Sequence, residues 1–378
     1  MQNFKVLIAL FFTLLSVSAK TFAQTQLSDQ ADISLLTCGP GDEMYSVFGH
    51  TAIRVHDPAT RFDVVYNFGT FDFDTPNFYG KFIKGDLQYF VSTSSFEDFV
   101  YTYVYYKRDV YEQTLNLTTS QKQAIADELN TIILTDKRFY TYKFIHRNCT
   151  TMVADILNNY IPGKISLENT DKGKTYRKIL SDALDGHFYE NLGINLLFGH
   201  KTDVISRKLF LPKELMEGVD NTKTAIGSLT KTTITVNRSS EEQKRSVWNN
   251  FYTFGFICLL LMTFSGKKLV QRSFLALSGL LGLLFCFISI YSSHPELKLN
   301  YNILLINPLF VLLLYFIFKN KIKAILTTSY SCIILIAIYS ILILNKPHLV
   351  AVLPLIALTA AVLVRVIVIH KKKLPSKQ

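Results

Sequence analysis

Cys149 and His50 are the side chains on which a reaction could be built. Cys149 lies in the stretch Asn148-Cys149-Thr150-Thr151-Met152-Val153-Ala154-Asp155-Ile156-Leu157, where Met152, Val153, Ile156 and Leu157 recur at helical spacing. Its thiol is therefore expected at a helix N-terminus. Unpaired backbone N–H groups and the positive end of the helix dipole favour a thiolate there, and the thiolate is the nucleophilic form. Upstream, Phe48-Gly49-His50 leads into the alternating run Thr51-Ala52-Ile53-Arg54-Val55, a predicted strand that begins at a histidine. An imidazole within hydrogen-bond reach would take the thiol proton and later return a proton as a covalent intermediate breaks down. His50 is thus the candidate general base, with His146 and His56 as substitutes. Asn67, on the next predicted strand, is the candidate for the group that fixes the imidazole tautomer. N–H groups at the start of the Cys149 helix would form an oxyanion hole, to which Asn148 could add a side-chain donor.

The elements that must position these residues read as an α+β domain. Ile33–Thr37 is a predicted strand ended by the turn Cys38-Gly39-Pro40-Gly41-Asp42. The His50 strand follows, then a partner at Phe62–Phe68, so three sheet strands precede the Cys149 helix. A strand-borne His before a helix-borne Cys is the circularly permuted order of a papain-like thiol domain, which points to thioester chemistry. Phe71 to Tyr106 is densely aromatic, suited to a core or to a surface that holds lipid. Arg108–Leu117 is a further strand candidate, and Ser120 is expected to cap a helix through Ile133. Helical pieces at Tyr176–Leu184, Phe188–Phe198 and Ile205–Leu215 precede a polar, Thr/Ser-rich linker from Asn221 to Gln243.

From about residue 247 the composition changes. Five apolar stretches, Val247–Ser265, Ser273–Tyr291, Ile303–Phe318, Ala324–Leu344 and Leu349–Ile369, approach the ~20 residues a bilayer crossing needs. Lys267, Lys268 and Arg272 follow the first, Lys319, Lys321 and Lys323 the third, and Arg365 and Lys371–Lys373 the fifth, while the other loops are lysine-poor. The positive-inside rule then places the N-terminal half outside and the C-terminus in the cytoplasm. Residues 1–23 have the charged start, apolar core and small-residue end of a secretory signal. The expected order is signal peptide 1–23, thiol domain 24–165, helical extension and linker 166–246, five-span bundle 247–370 and cytoplasmic tail 371–378. Residues 251–378 hold 13 Lys/Arg and one acid, a net of +12, so residues 1–250 carry −1 of the chain's +11. The basic balance is a topology signal, and nucleic-acid binding is not expected. Cys258, Cys286 and Cys332 fall inside spans, leaving Cys38 and Cys149 in an exported region where a disulfide between them is the structural alternative to catalysis. No CxxC or HExxH spacing occurs, and neither a metal nor a cofactor is expected.

Several segments together resemble the Lnb family, lipoprotein N-acyltransferases of Gram-negative bacteria. They are Leu35-Leu36-Thr37-Cys38-Gly39-Pro40-Gly41-Asp42, Phe48-Gly49-His50-Thr51-Ala52-Ile53-Arg54, Tyr66-Asn67-Phe68-Gly69-Thr70-Phe71 and Asn148-Cys149-Thr150-Thr151. Phe210-Leu211-Pro212 and Asn300-Tyr301-Asn302-Ile303-Leu304-Leu305-Ile306-Asn307-Pro308-Leu309 add to the likeness. The resemblance implies an inner-membrane enzyme that moves an acyl chain from a phospholipid to the N-terminal amine of a diacylglyceryl lipoprotein, with His50 and Cys149 as its thiol pair. Arg54, Arg177, Asn300, Asn302 and Asn307 are the candidate substrate-binding residues. A thioester can also be opened by water, so a cell-envelope amidase or peptidase of the NlpC/P60 type stays open, as does a non-catalytic envelope scaffold.

Overall fold

The computed structural model describes residues 26–239 and 246–373; the expected signal peptide, the last residues of the expected linker and the end of the tail lie outside them. Runs that alternate β-branched or aromatic residues with polar ones build a seven-stranded antiparallel sheet. Its strands are β1 (Asp32–Cys38), β2 (His50–Asp57), β3 (Phe62–Thr70), β4 (Gln88–Ser94), β5 (Val110–Leu115), β6 (Phe139–Thr141) and β9 (Thr230–Asn237). Their spatial order is β6-β4-β3-β2-β1-β5-β9, and a short hairpin, β7 (Lys223–Thr224) with β8 (Gly227–Ser228), stands apart. The helices of this half are α1 (Phe78–Lys84), α2 (Phe96–Tyr105), α3 (Thr119–Leu134), α4 (Cys149–Tyr160), α5 (Tyr176–Ala183), α6 (Phe188–Leu197) and α7 (Pro212–Asn221).

Both faces of the sheet are covered, because successive side chains of a strand point to opposite sides. Ile33, Leu35, Ile53, Val55, Tyr66 and Phe68 pack with Ile125 and Leu129 of α3 and Val153, Ile156 and Leu157 of α4. Leu36, Cys38, Ala52 and Val65 face the other way, against Phe99 and Tyr103 of α2. The Cys149 helix and the Tyr103 helix therefore sandwich the strand that begins at His50.

Three sequence expectations are revised here. The polar stretch read as a linker supplies β9, which pairs with β5 from Val110↔Asn237 to Leu115↔Thr230. Its threonines suggested linker composition, but β-branched residues also favour strands, and an edge strand tolerates polar side chains. The α3 cap is Thr118, two residues before Ser120, because Thr118 and Gln121 cap each other's backbone reciprocally. The third helical piece starts at Pro212 instead of Ile205: proline at the first helical position has no N–H to satisfy and disfavours helix before it.

Beyond residue 250 come α8 (Phe251–Thr263), α9 (Lys268–Tyr291), α10 (Leu309–Phe318), α11 (Ile322–Leu342) and α12 (Leu349–Lys371). Four segments among the described residues are long and apolar enough to cross a membrane: Lys268–Tyr291, Pro295–Phe318, Ile322–Leu342 and Leu349–Lys371. The first expected span does not reach that length as a helix. The 13 residues of α8 rise only about 20 Å, against ~30 Å of hydrocarbon.

A polar clamp joins α6 to the apolar bundle. The last carbonyls of a helix have no partner within it. Asn300 Nδ2 donates to Leu196 O and Leu197 O, and Asn302 Nδ2 donates to Asn195 O and Phe198 O. Arg177 donates to Asn195 O, Phe198 O and Gly199 O and pairs with Asp203 at 2.7 Å, both side chains being only 2% exposed. Tyr339 of α11 closes the clamp by donating to Asn302 Oδ1. Removing one partner of a buried ion pair strands the other charge. Arg177→Met is accordingly expected to lower stability by roughly 3–5 kcal/mol, read as a fall in the thermal unfolding midpoint in detergent. An unchanged midpoint would mean that the clamp contributes nothing.

Candidate active site

Asn148 and Thr151 cap α4 reciprocally: Asn148 Oδ1 accepts from Thr151 N–H at 3.0 Å, and Thr151 Oγ1 accepts from Asn148 N–H at 2.9 Å. Met152 N–H is bonded to Asn148 O. The Cys149 and Thr150 N–H groups are left, among the described residues, as the donors without a partner at this helix start. Asn148 has no donor to spare for an oxyanion. Its amide nitrogen donates to Phe144 O at 2.7 Å and Phe210 O at 2.9 Å, holding the Phe210-Leu211-Pro212 segment against the helix. Glu214 secures that segment from behind by accepting from Phe210 N–H and Leu211 N–H. Burial pushes its carboxyl up to about 8 although these two donors pull the other way.

His50 hydrogen-bonds the Cys149 sulfur, and Thr51 N–H donates to it. Burial works against a thiolate here, but the charge and hydrogen bond of His50 and the donors of Thr51 and Thr150 outweigh it and bring the thiol below its ordinary range. The imidazole tautomer follows from hydrogen-bond chemistry. Asn67 Oδ1 accepts from Gly69 N–H at 2.9 Å, an obligate donor, which settles which amide atom is the oxygen. That same oxygen lies 2.8 Å from His50 Nε2, so Nε2 carries a proton and donates it to Asn67. Nδ1 is thereby left to exchange a proton with the thiol. The ring is stacked on Tyr103 on one side, with centroids 6.4 Å apart.

Cys38 does not compete. It and Cys149 are both free thiols, and burial pushes the Cys38 thiol up to about 12, although Arg108 and a hydrogen bond with Tyr103 pull the other way. His146 packs against Tyr176 and does not line the cleft that holds Cys149; burial lowers its basicity.

That cleft has a volume of about 250 Å³, and its walls are largely aromatic. Phe71, Tyr89, Tyr142 and Phe82 form a row of ring contacts, Tyr89 and Tyr142 stacking at 4.4 Å. The aromatic stretch thus divides three ways: Phe99 and Tyr103 are core, Phe71, Phe82 and Tyr89 wall the cleft, and Phe73, Tyr79, Tyr101 and Tyr105 are exposed. Phe82 also connects the cleft to the apolar bundle. The loop after α9 docks on α1, with Ser293 N–H donating to Lys84 O, Lys143 donating to Ser293 Oγ, and His294 Nε2 bonded to Phe82 O.

The structure brings Cys149, His50, Asn67 and Asn148 together around this cleft. Arg54, Arg177, Asn300, Asn302 and Asn307 do not line it. Arg54 is held by Asp63 and Glu112 and lies over Phe96. Asn307 accepts from Leu309 N–H at the start of α10, and the other three form the clamp on α6.

Gly69 is a site residue that sequence reasoning passed over. A Cβ there would lie 2.4 Å from His50 Cε1, so only glycine lets the imidazole lie over β3. The available signal was a glycine inside a strand pattern, which marks close approach of another group. Gly69→Ala should displace the ring from both Asn67 and Cys149 and lower turnover by roughly 10–100-fold, since a shift of about 1 Å costs on that scale. Turnover of a well-folded Gly69→Ala protein within twofold of wild type would contradict this packing.

Two family models match the chain. The Lnb N-terminal periplasmic domain matches residues 19–182, and the Lnb transmembrane domain matches residues 265–374. No curated protein and no solved structure matches it. The first match contains Cys149, His50, Asn67, Gly69 and Asn148, and the second contains all four candidate spans.

Proposed function

The chain belongs to the Lnb family, and from that premise we propose that it is a membrane-bound thiol acyltransferase that completes lipoprotein N-termini. The observation that carries this reading is the placement of the Cys149–His50 pair in an aromatic cleft whose wall, at Phe82, is bonded to the loop leaving α9. A nucleophile for soluble peptides has no need of such a wall, whereas one that draws an acyl chain from a bilayer does.

In the proposed reaction the Cys149 thiolate attacks an ester carbonyl of a phospholipid. The C–S bond forms as the ester C–O bond breaks, and His50 protonates the departing lysophospholipid oxygen. The carbonyl oxygen, negative in the tetrahedral intermediate, is stabilised by the Cys149 and Thr150 N–H groups. The amine of a diacylglyceryl-cysteine lipoprotein then attacks the thioester. Its C–N bond forms as the C–S bond breaks, His50 takes the amine proton, and the thiolate is restored. Asn67 keeps Nε2 protonated, so Nδ1 handles the proton in both halves. Amine and thioester share one bilayer surface, which favours aminolysis over hydrolysis by orientation and by exclusion of water.

This reading places the α+β domain, a permuted papain-like unit, on the periplasmic face of the inner membrane, with the C-terminus in the cytoplasm, and so requires the apolar stretch around α8 to cross together with the four longer segments. Mass spectrometry of lipoprotein N-termini in cells with and without the protein tests it. Diacyl forms should become triacyl only when the protein is present. Unchanged lipoproteins together with altered cell-wall peptides would select the amidase instead.

A further inference from the structure

We propose that Arg108 is a phosphate-binding residue of the cleft, which holds the phosphodiester of a glycerophospholipid acyl donor; this rests on the acyl-transfer reading and names the group by which its donor is recognised. Arg108 lies between α2 and β5, lines the same cleft as Cys149 and His50, and is only 9% exposed. Its Nε donates to Gly39 O at 2.8 Å, and its guanidinium lies 4.7 Å from the centre of the Tyr103 ring. Among the described residues no other group hydrogen-bonds the guanidinium. Nη2 is sealed from solvent without a partner, and among the described residues no carboxylate pairs with the group. The neighbouring Asp109 is committed elsewhere, accepting from Tyr111 Oη and Ser239 N–H.

A buried cation is ordinarily paired, because removing it from water is costly. An unpaired guanidinium in a cleft is instead a preformed receptor for an anion, and its planar fork matches a phosphate. The turn Cys38-Gly39-Pro40-Gly41-Asp42 is built around it. Gly39 N–H donates to Asp109 O, Gly39 O holds Nε, and a Cβ at Gly41 would lie 3.0 Å from Arg108 Cδ and 2.7 Å from Ser46 Oγ. The thiol chemistry makes no use of this turn, and shaping a seat for Arg108 accounts for it.

Position adds the substrate. Tyr103 touches both the His50 ring and the Arg108 guanidinium, so the cation lies about one ring away from the base. The ester carbonyls of a glycerophospholipid are a few bonds from its phosphate. Anchoring the phosphate at Arg108 would bring an ester to the Cys149 thiolate and leave the acyl chain to the Phe71–Tyr89–Tyr142–Phe82 wall.

The test measures binding without turnover. Full-length protein in non-ionic detergent is alkylated at Cys149 by iodoacetamide, followed by peptide mass spectrometry. The probes are a short-chain dialkyl ether phosphatidylglycerol, which cannot acylate the thiol, the matching neutral dialkylglycerol, and inorganic phosphate. The phospholipid ether should protect wild type at a concentration at least tenfold below that of the neutral ether. Arg108→Gln should abolish that advantage, and Arg108→Lys, which keeps the charge but not the fork, should retain part of it. Equal protection by the two ethers in wild type, or a preference that survives Arg108→Gln, would overturn the assignment. Protection by inorganic phosphate at the same concentration as the phospholipid would overturn the lipid donor in favour of a free phosphate. Should Arg108→Gln fail to fold, the wild-type comparison and Arg108→Lys still decide. Because no acyl group moves, failure of the acyl-transfer reading leaves this result intact and separately readable.

Discussion

Cys149→Ser is expected to abolish acyl transfer, with a loss of about 10⁴-fold or more, the scale on which removing the nucleophile of a nucleophile–base pair acts. Sulfur and oxygen differ little in size, so the Asn148–Thr151 cap and the packing of α4 should be retained and the protein should insert and fold normally. What is lost is ionisation: the contacts of His50, Thr51 and Thr150 bring a thiol below its ordinary range, and a serine hydroxyl lies far beyond their reach. Intact-protein mass spectrometry with phospholipid alone should show an added acyl mass on wild type and none on Cys149→Ser. An acyl adduct that persists in the serine variant at another cysteine would reassign the nucleophile.

The second large effect is expected at His50. His50→Ala should reduce turnover by about 10²–10⁴-fold, the usual worth of general acid–base assistance. It should also change the pH profile of Cys149 alkylation, and the sign follows from the contacts. In wild type, burial raises the thiol, but the His50 charge and hydrogen bond, together with the donors of Thr51 and Thr150, more than offset it, so the thiolate persists to lower pH than an ordinary cysteine allows. Without His50 the burial effect is opposed only by Thr51 and Thr150, and the alkylation midpoint should move to higher pH. A profile unchanged in His50→Ala, or one that moves instead in His146→Ala, would take the base role from His50. Asn67→Ala should reduce turnover less, because it removes the tautomer constraint and not the base itself.

The features legible in the sequence are those written in local periodicity and composition. Alternation placed a strand at His50, apolar spacing placed a helix at Cys149, and both stand where expected because each element presents one face to a core. Four of the five predicted spans coincide with segments long enough to cross a membrane, since length and apolarity are properties of a contiguous stretch. Other features depend on what a residue meets across the fold. Thr230–Asn237 is a strand only because β5 offers an open edge, and its composition alone reads as a linker. Arg177, Asn300 and Asn302 have the residue types of a substrate site, but the carbonyl end of α6 occupies them. The same holds within the cleft. The sequence named a cysteine, a histidine and an asparagine; that Asn67 accepts from one particular ring nitrogen and so keeps it protonated, that Gly69 makes room for the ring, and that Arg108 Nη2 is left without a partner are matters of distance between strands and loops far apart in the chain. Local pattern determines which elements form, because propensity and burial act along a segment; tertiary packing decides which polar groups are used up and which are left free for chemistry.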